Sequence, residues 1–193
     1  MNRSIAFIVD GHMEQKIVQH FCPGIPVRRP NCNGDNVPVA TLAKHIAPLV
    51  RLLKRVRKFF VIVDREGRAM SAAKMEADIK AELAKLEVDI SCVVVSVADR
   101  STENWMLADV EGLKVHPYLR EDVKQEDYEG KNGKSALQKL FKPDISYHET
   151  TVGVDLFKCV RPKIAGENSK SFRMLIEELE PYCPSLSPEK GTC

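Results

Sequence analysis

The chain has 193 residues, 44% hydrophobic and 29% charged, which is the composition of an ordinary globular protein and excludes a collagen-like, fibrous or disordered chain. Such a length suits roughly one domain with a small appendage. Twenty-nine Lys and Arg oppose twenty-seven Asp and Glu for a formal charge of +2, so any attraction to nucleic acid must come from local patches.

The first element is the apolar run Ile5 to Val9, which ends at Asp10 and Gly11. It is too short for the apolar region of a secretory leader, and no stretch of about 18 apolar residues exists anywhere, so the expected localisation is cytoplasmic. Met13 to Phe21 places Ile17, Val18 and Phe21 on one side of a predicted helix. The stretch from Cys22 through Pro38 holds four prolines and two glycines, the signature of a long loop with at most one short strand around Ile25 to Arg29. Pro48 is suited to open a helix over Leu49 to Val56. A second apolar run, Phe59 to Val63, ends at Asp64, with Glu66 and Gly67 close behind. Ala72 to Leu86 carries Met75, Ile79, Leu83 and Leu86 at helical spacing, and Ile90 to Val97 forms a third apolar run.

The three runs are apolar on both faces and alternate with helices, which predicts strands of a parallel sheet covered on both sides. Beyond Ala98 the pattern shortens into helices over Thr102 to Val110, Ser135 to Phe141, Thr151 to Val160 and Ser171 to Leu179. Pro181 to Cys193 holds three prolines and reads as a poorly ordered tail. The expected fold class is therefore α/β, a Rossmann-like parallel sheet flanked by helices. Its core spans 1–110, a helical extension 111–180 and the tail 181–193. The six cysteines contain no Cys-x-x-Cys pair, and in the cytoplasm no disulfide framework is expected.

Acidic residues cluster where a parallel sheet binds ligands, at the carboxyl ends of its strands. Asp10 follows the first run, Asp64 and Glu66 the second, and Glu14 falls in the first turn of the helix after Gly11. Asp99 and Glu103 repeat the pattern after the third run. Carboxylates held close together repel, and a hard divalent cation is the usual means of holding them. Mg²⁺ or Mn²⁺ with phosphate oxygens, and so phosphoryl transfer, suits such a rim. Glu14 and Glu103 also fit a simpler role, complementing a helix dipole, with Thr102 as an N-cap.

The segments Ile5 to Glu14 and Val61 to Glu66 resemble a TOPRIM (topoisomerase-primase) domain, in which an acid followed by Gly ends the first strand and an acidic pair ends a later one. Asp99 to Asp109, with its Glu103-Asn104-Trp105 core, is similar to the corresponding segment of small stand-alone TOPRIM proteins related to the overcoming-lysogenization-defect (OLD) nucleases. The resemblance spans roughly residues 5–180 and implies a Mg²⁺-dependent nuclease acting on DNA or RNA in antiviral defence, with an ATPase partner encoded nearby. It implies Asp10, Glu14, Asp64 and Glu66 as catalytic residues and metal ligands, with Glu103 as a second-metal ligand. Two positions depart from the family pattern: Asp10 stands where Glu is usual, and Asp64 and Glu66 form Asp-x-Glu where Asp-x-Asp is commoner. The alternative is a catalytically weak regulatory subunit that keeps the acidic rim.

Arg28, Arg29, Arg65, Arg68 and Lys134 are the expected nucleic-acid contacts, since they bring positive charge toward the rim or a helix start. Lys44 to Lys58 adds six cations and no acid between apolar residues. Lys131 to Ser135 fails as a nucleotide phosphate loop because Tyr128 stands where the first Gly is required. His20, Cys22, Cys32 and His45 lack the short-spaced pairs of zinc motifs. Glu121 to Glu129 reads as a solvated loop or a partner-facing surface.

Overall fold

The computed structural model describes residues 4–32, 34 and 37–183, so the expected tail lies outside the described residues from position 184 onward. The chain divides into two compact units, Met1–Val97 and Ala98–Cys193.

The first unit runs β1 (Ile5–Val9), α1 (His12–Phe21), β2 (Val27–Arg28), α2 (Val39–Leu52), β3 (Lys58–Asp64), α3 (Ala72–Lys85), a 3-10 turn (Ile90–Cys92) and β4 (Val93–Ala98), whose last residue opens the second unit. The strands form one parallel sheet in the order β2-β1-β3-β4. β1 pairs with β2 through Phe7 and Val27, and with β3 from Ile5 opposite Lys58 to Val9 opposite Ile62. All of β1, and all of β3 beyond Lys58, is buried, which is why both read as unbroken apolar runs. On one face Ala6, Ile8, Phe59, Val61 and Val63 pack with Leu42 and Ile46 of α2 and with Met75, Ile79 and Leu83 of α3. The α/β reading of the sequence therefore stands.

Three local expectations change. α2 starts at Val39, well ahead of Leu49, and carries Pro48 inside it. A proline in a helix interior costs about 3 kcal/mol. Burying Leu42 and Ile46 on the sheet returns about 2 kcal/mol each, so burial prevails over local propensity. Ile90 to Cys92, the start of the third apolar run, does not join β4, because the Asp89 carboxylate accepts the Ser91 N–H at 3.0 Å and winds the chain into a turn. Cys22 and Cys183 are each disulfide-bonded, which the expectation of no disulfide framework did not foresee, while Cys32, Cys92 and Cys159 are free thiols.

The second unit holds α4 (Thr102–Leu107), α5 (Val110–Leu113), α6 (Gly133–Leu140), a π turn (Glu149–Gly153), α7 (Val154–Cys159), α8 (Pro162–Asn168) and α9 (Lys170–Leu179). The helix expected over Thr102 to Val110 divides because Asp109 caps α5, its Oδ1 accepting the Gly112 N–H at 3.0 Å. α8, with Pro162 in its first turn, has no counterpart among the predicted helices. Trp105, Phe157 and Phe172 form the aromatic centre, with ring centroids 5.5 and 6.0 Å from Phe172. Among the described residues no helix is long and apolar enough to cross a membrane.

Candidate active site

Strand order places the first-unit acids. The chain passes from β1 to β2 on one side and then to β3 on the other, so the carboxyl end of β1 is a topological switch point, where open α/β sheets form their ligand crevice. Asp10 stands there, its backbone N–H donating to Ile62 O at 3.0 Å, and Asp64 ends the adjacent strand. The Asp64 N–H is directed at the Asp10 carboxylate.

Glu14 is brought to the same rim by the first turn of α1, and it is buried. Gly11 makes this possible: a Cβ there would lie 2.4 Å from Glu14 Oε2, so only glycine lets the carboxylate settle over the backbone. Sequence reasoning noted Gly11 but assigned it no role; only the fold shows that α1 turns back onto it. Glu66 follows Asp64 with φ of 57°, a left-handed turn that non-glycine residues rarely adopt.

The electrostatics of this rim are unfavourable as they stand. Burial, with Glu14 and Glu66 nearby, raises the Asp10 pKa from 3.8 to about 7, against the opposing pull of the Asp64 N–H and Arg68. Asp10 Oδ1 is buried without a hydrogen-bond partner. A carboxylate oxygen sealed from water without a donor is costly and calls for a proton or a cation.

The donor set of Asp10, Glu14, Asp64 and Glu66 is all hard oxygen, which fits Mg²⁺ or Mn²⁺, and the unsatisfied Asp10 oxygen has the chemistry such an ion would complete. Among the described residues, no three His, Cys, Asp or Glu groups are already gathered as a metal-holding cluster.

The remaining expected site residues are placed as follows. Arg68 lies beside Asp10, but its guanidinium is spread over backbone carbonyls: Nη1 donates to Arg65 O at 3.0 Å, and Nη2 to Gly34 O at 2.9 Å and Val37 O at 3.1 Å. It latches the long loop onto the turn that carries the acidic pair. Arg65 donates to Arg68 O, closing that turn. Arg28 is exposed and donates to its neighbour Val27 O, and Arg29 is half-buried.

Glu103, Asp99 and Lys134 belong to the second unit. Glu103 is fully buried in the first turn of α4; its Oε1 accepts the Tyr147 hydroxyl at 3.0 Å and its Oε2 is unpartnered. The N-cap of α4 is Ser101 and not Thr102, with Asn104 Oδ1 accepting the Ser101 N–H at 3.1 Å. Asp99 lies beside Glu129, whose pKa is raised chiefly by burial. Lys134 pairs with Glu149 at 2.7 Å. Its neighbour Gly133 packs against Asn104 and Ser101, so the Lys131 to Ser135 stretch braces α4 and caps α6 through Asn132.

Comparison with family models, curated proteins and solved structures finds no match to this chain.

Proposed function

We propose that the protein is a Mg²⁺- or Mn²⁺-dependent nuclease of the TOPRIM type that hydrolyses phosphodiester bonds in DNA or RNA, acting as an effector of prokaryotic defence against phage with an ATPase partner. The supporting observation is the Asp10 carboxylate: buried, one oxygen unpartnered, at the switch point of the sheet, and crowded by Glu14 and Glu66. An arrangement that destabilises the resting protein in this way is characteristic of functional sites.

A divalent ion bound here would supply Lewis-acid polarisation of the phosphoryl group and a more acidic water. Asp64 and Glu66 offer carboxylate ligands from one turn, and Glu14 offers a third over Gly11. Asp10, with a proton affinity near neutrality, is suited to accept the proton of an attacking water. Arg68 ties the long loop to the turn that carries Asp64 and Glu66, which positions the acids.

The absence, among the described residues, of an assembled three-ligand cluster favours a second reading, a regulatory subunit that retains the rim but cleaves weakly. Incubating the purified protein with plasmid, single-stranded DNA and structured RNA, with and without Mn²⁺, separates the two. The nuclease reading expects Mn²⁺-dependent cleavage that Asp64→Ala abolishes; cleavage unchanged in that variant would refute it. Mn²⁺ binding without cleavage of any substrate would support the regulatory subunit.

A further inference from the structure

Wholly within the first unit lies a groove of about 710 Å³, where Gly24 to Pro26 lead into β2 and Leu52 to Val56 lead into β3, at the amino ends of the strands. Arg28, Lys54 and Arg55 line it together with Ile25, Leu52 and Val56, and among the described residues no acid does. The three cations are exposed, and among the described residues no carboxylate pairs with any of them. The excess of charge continues outside the groove, since Lys44 to Lys58 holds six cations without an acid. A single exposed leucine is ordinary, but Leu52, 67% exposed, shares the groove with Ile25 and Val56 and gives it an apolar part beside the cations.

Unpaired cations select a polyanion, and the apolar side chains next to them select one that also carries an apolar surface. A nucleic-acid duplex offers phosphates but keeps its base faces stacked inside. A single strand offers both: phosphates for Lys and Arg, and unstacked base faces for guanidinium planes and aliphatic side chains. Gln19, exposed in the same groove, can donate to or accept from the edge of any base, so it imposes no sequence. The groove is also separate from the acids. β3 has seven residues that rise about 3.3 Å each, which puts Asp64 about 20 Å from its amino end. Arg28 stands between the two places, on the outer strand of the sheet and opposite Ile8, two residues before Asp10.

We propose that this groove binds single-stranded nucleic acid, as a holding site distinct from the acidic rim toward which Arg28 leads. The choice of a nucleic-acid strand over an acidic peptide rests on the nuclease reading above, whereas the binding itself needs neither metal nor cleavage.

Fluorescence anisotropy of the full chain in chelator tests this with labelled oligothymidylate, oligouridylate, the oligothymidylate paired with its complement, and a peptide of leucine and glutamate. The single strands are expected to bind several-fold more tightly than the duplex or the peptide, the ratio between them assigning the preferred sugar. Three phosphate contacts predict a slope of about −2 in log affinity against log salt concentration, a loss of about 16-fold between about 50 and about 200 mM salt. Lys54→Gln with Arg55→Gln leaves one contact and cuts the slope to about −0.7 with circular dichroism unchanged. Leu52→Ala keeps the slope and removes the preference for a single strand. Lys124→Gln with Lys170→Gln, at exposed positions of the second unit, changes neither. A duplex or peptide bound as tightly as the single strand, a slope near zero, or a double glutamine variant of the groove that binds like the wild type would overturn the proposal. Asp64→Ala keeps this binding. Strand binding without cleavage therefore overturns only the nuclease, and cleavage with strand binding indifferent to Lys54 and Arg55 overturns only the groove.

Discussion

Asp10→Asn tests the claim that the rim is held under electrostatic strain. The substitution keeps size and shape, removes the charge, and gives Oδ1's neighbours an amide in place of a repelling carboxylate. Raising the pKa from 3.8 to about 7 corresponds to roughly 4 kcal/mol at the full conversion, and solvent at the half-open rim reduces this to about 2 kcal/mol. The sign follows from the direction of the shift. The folded protein holds the Asp10 proton more tightly than the unfolded chain, so Asp10's contribution is full below its unfolded pKa and is lost as pH rises through about 7. Without added metal, Asn should therefore raise the melting temperature at pH 8 by roughly 4–8 °C for a chain of this size, and change it little at pH 4. Thermal unfolding in chelator at both pH values reads this directly. Mn²⁺ should then stabilise the wild type at pH 8 and leave the variant nearly unchanged. Equal or lower stability of Asp10→Asn at pH 8 would refute the reasoning.

Three further outcomes follow from other parts of the structure. Gly11→Ala should leave the fold intact, because the obstructing atom is the end of the flexible Glu14 side chain, yet weaken Mn²⁺ affinity by displacing that carboxylate; titration calorimetry measures it. Arg68→Ala leaves the Gly34, Val37 and Arg65 carbonyls short of a donor and should cost about 1–3 kcal/mol in denaturant unfolding, with Arg68→Lys failing to restore it because one ammonium cannot span both loops. Asp109→Ala should destabilise the second unit by about 3 kcal/mol, since the buried Asp109 accepts from Arg161 Nε at 2.9 Å, Arg161 Nη2 at 2.6 Å and two backbone N–H groups. Those bonds, chiefly from Arg161, hold the Asp109 pKa below its ordinary value despite the opposing effect of burial, so this contribution persists above the unfolded pKa and disappears in acid as pH falls through the folded one; an acid-unfolding curve shifted in the variant checks it.

Much of the architecture was legible along the chain because it rests on local regularities. Ile5 to Val9 and Phe59 to Val63 are apolar at every position, which only a strand buried on both faces requires, and the acids that end them mark the carboxyl edge without coordinates. Ala72 to Leu86 was equally plain from Met75, Ile79, Leu83 and Leu86 at helical spacing; the helix spans Ala72–Lys85, and the structure adds its Ser71 cap. α2 was misplaced for the opposite reason: Pro48 is a strong local signal, and its cost is outweighed only by a sheet surface built from residues distant in the chain.

The same division runs through the site. Residue types alone determined that Asp10, Glu14, Asp64 and Glu66 are hard oxygen donors near strand ends. Only the tertiary structure decided that β1 and β3 are neighbours, that Glu14 lies over Gly11, and that Arg68 is spread over backbone carbonyls. Composition and periodicity report how each segment meets solvent, whereas a pKa or an unpartnered oxygen depends on which distant groups share a few ångströms of low-dielectric space, a property that strand order creates.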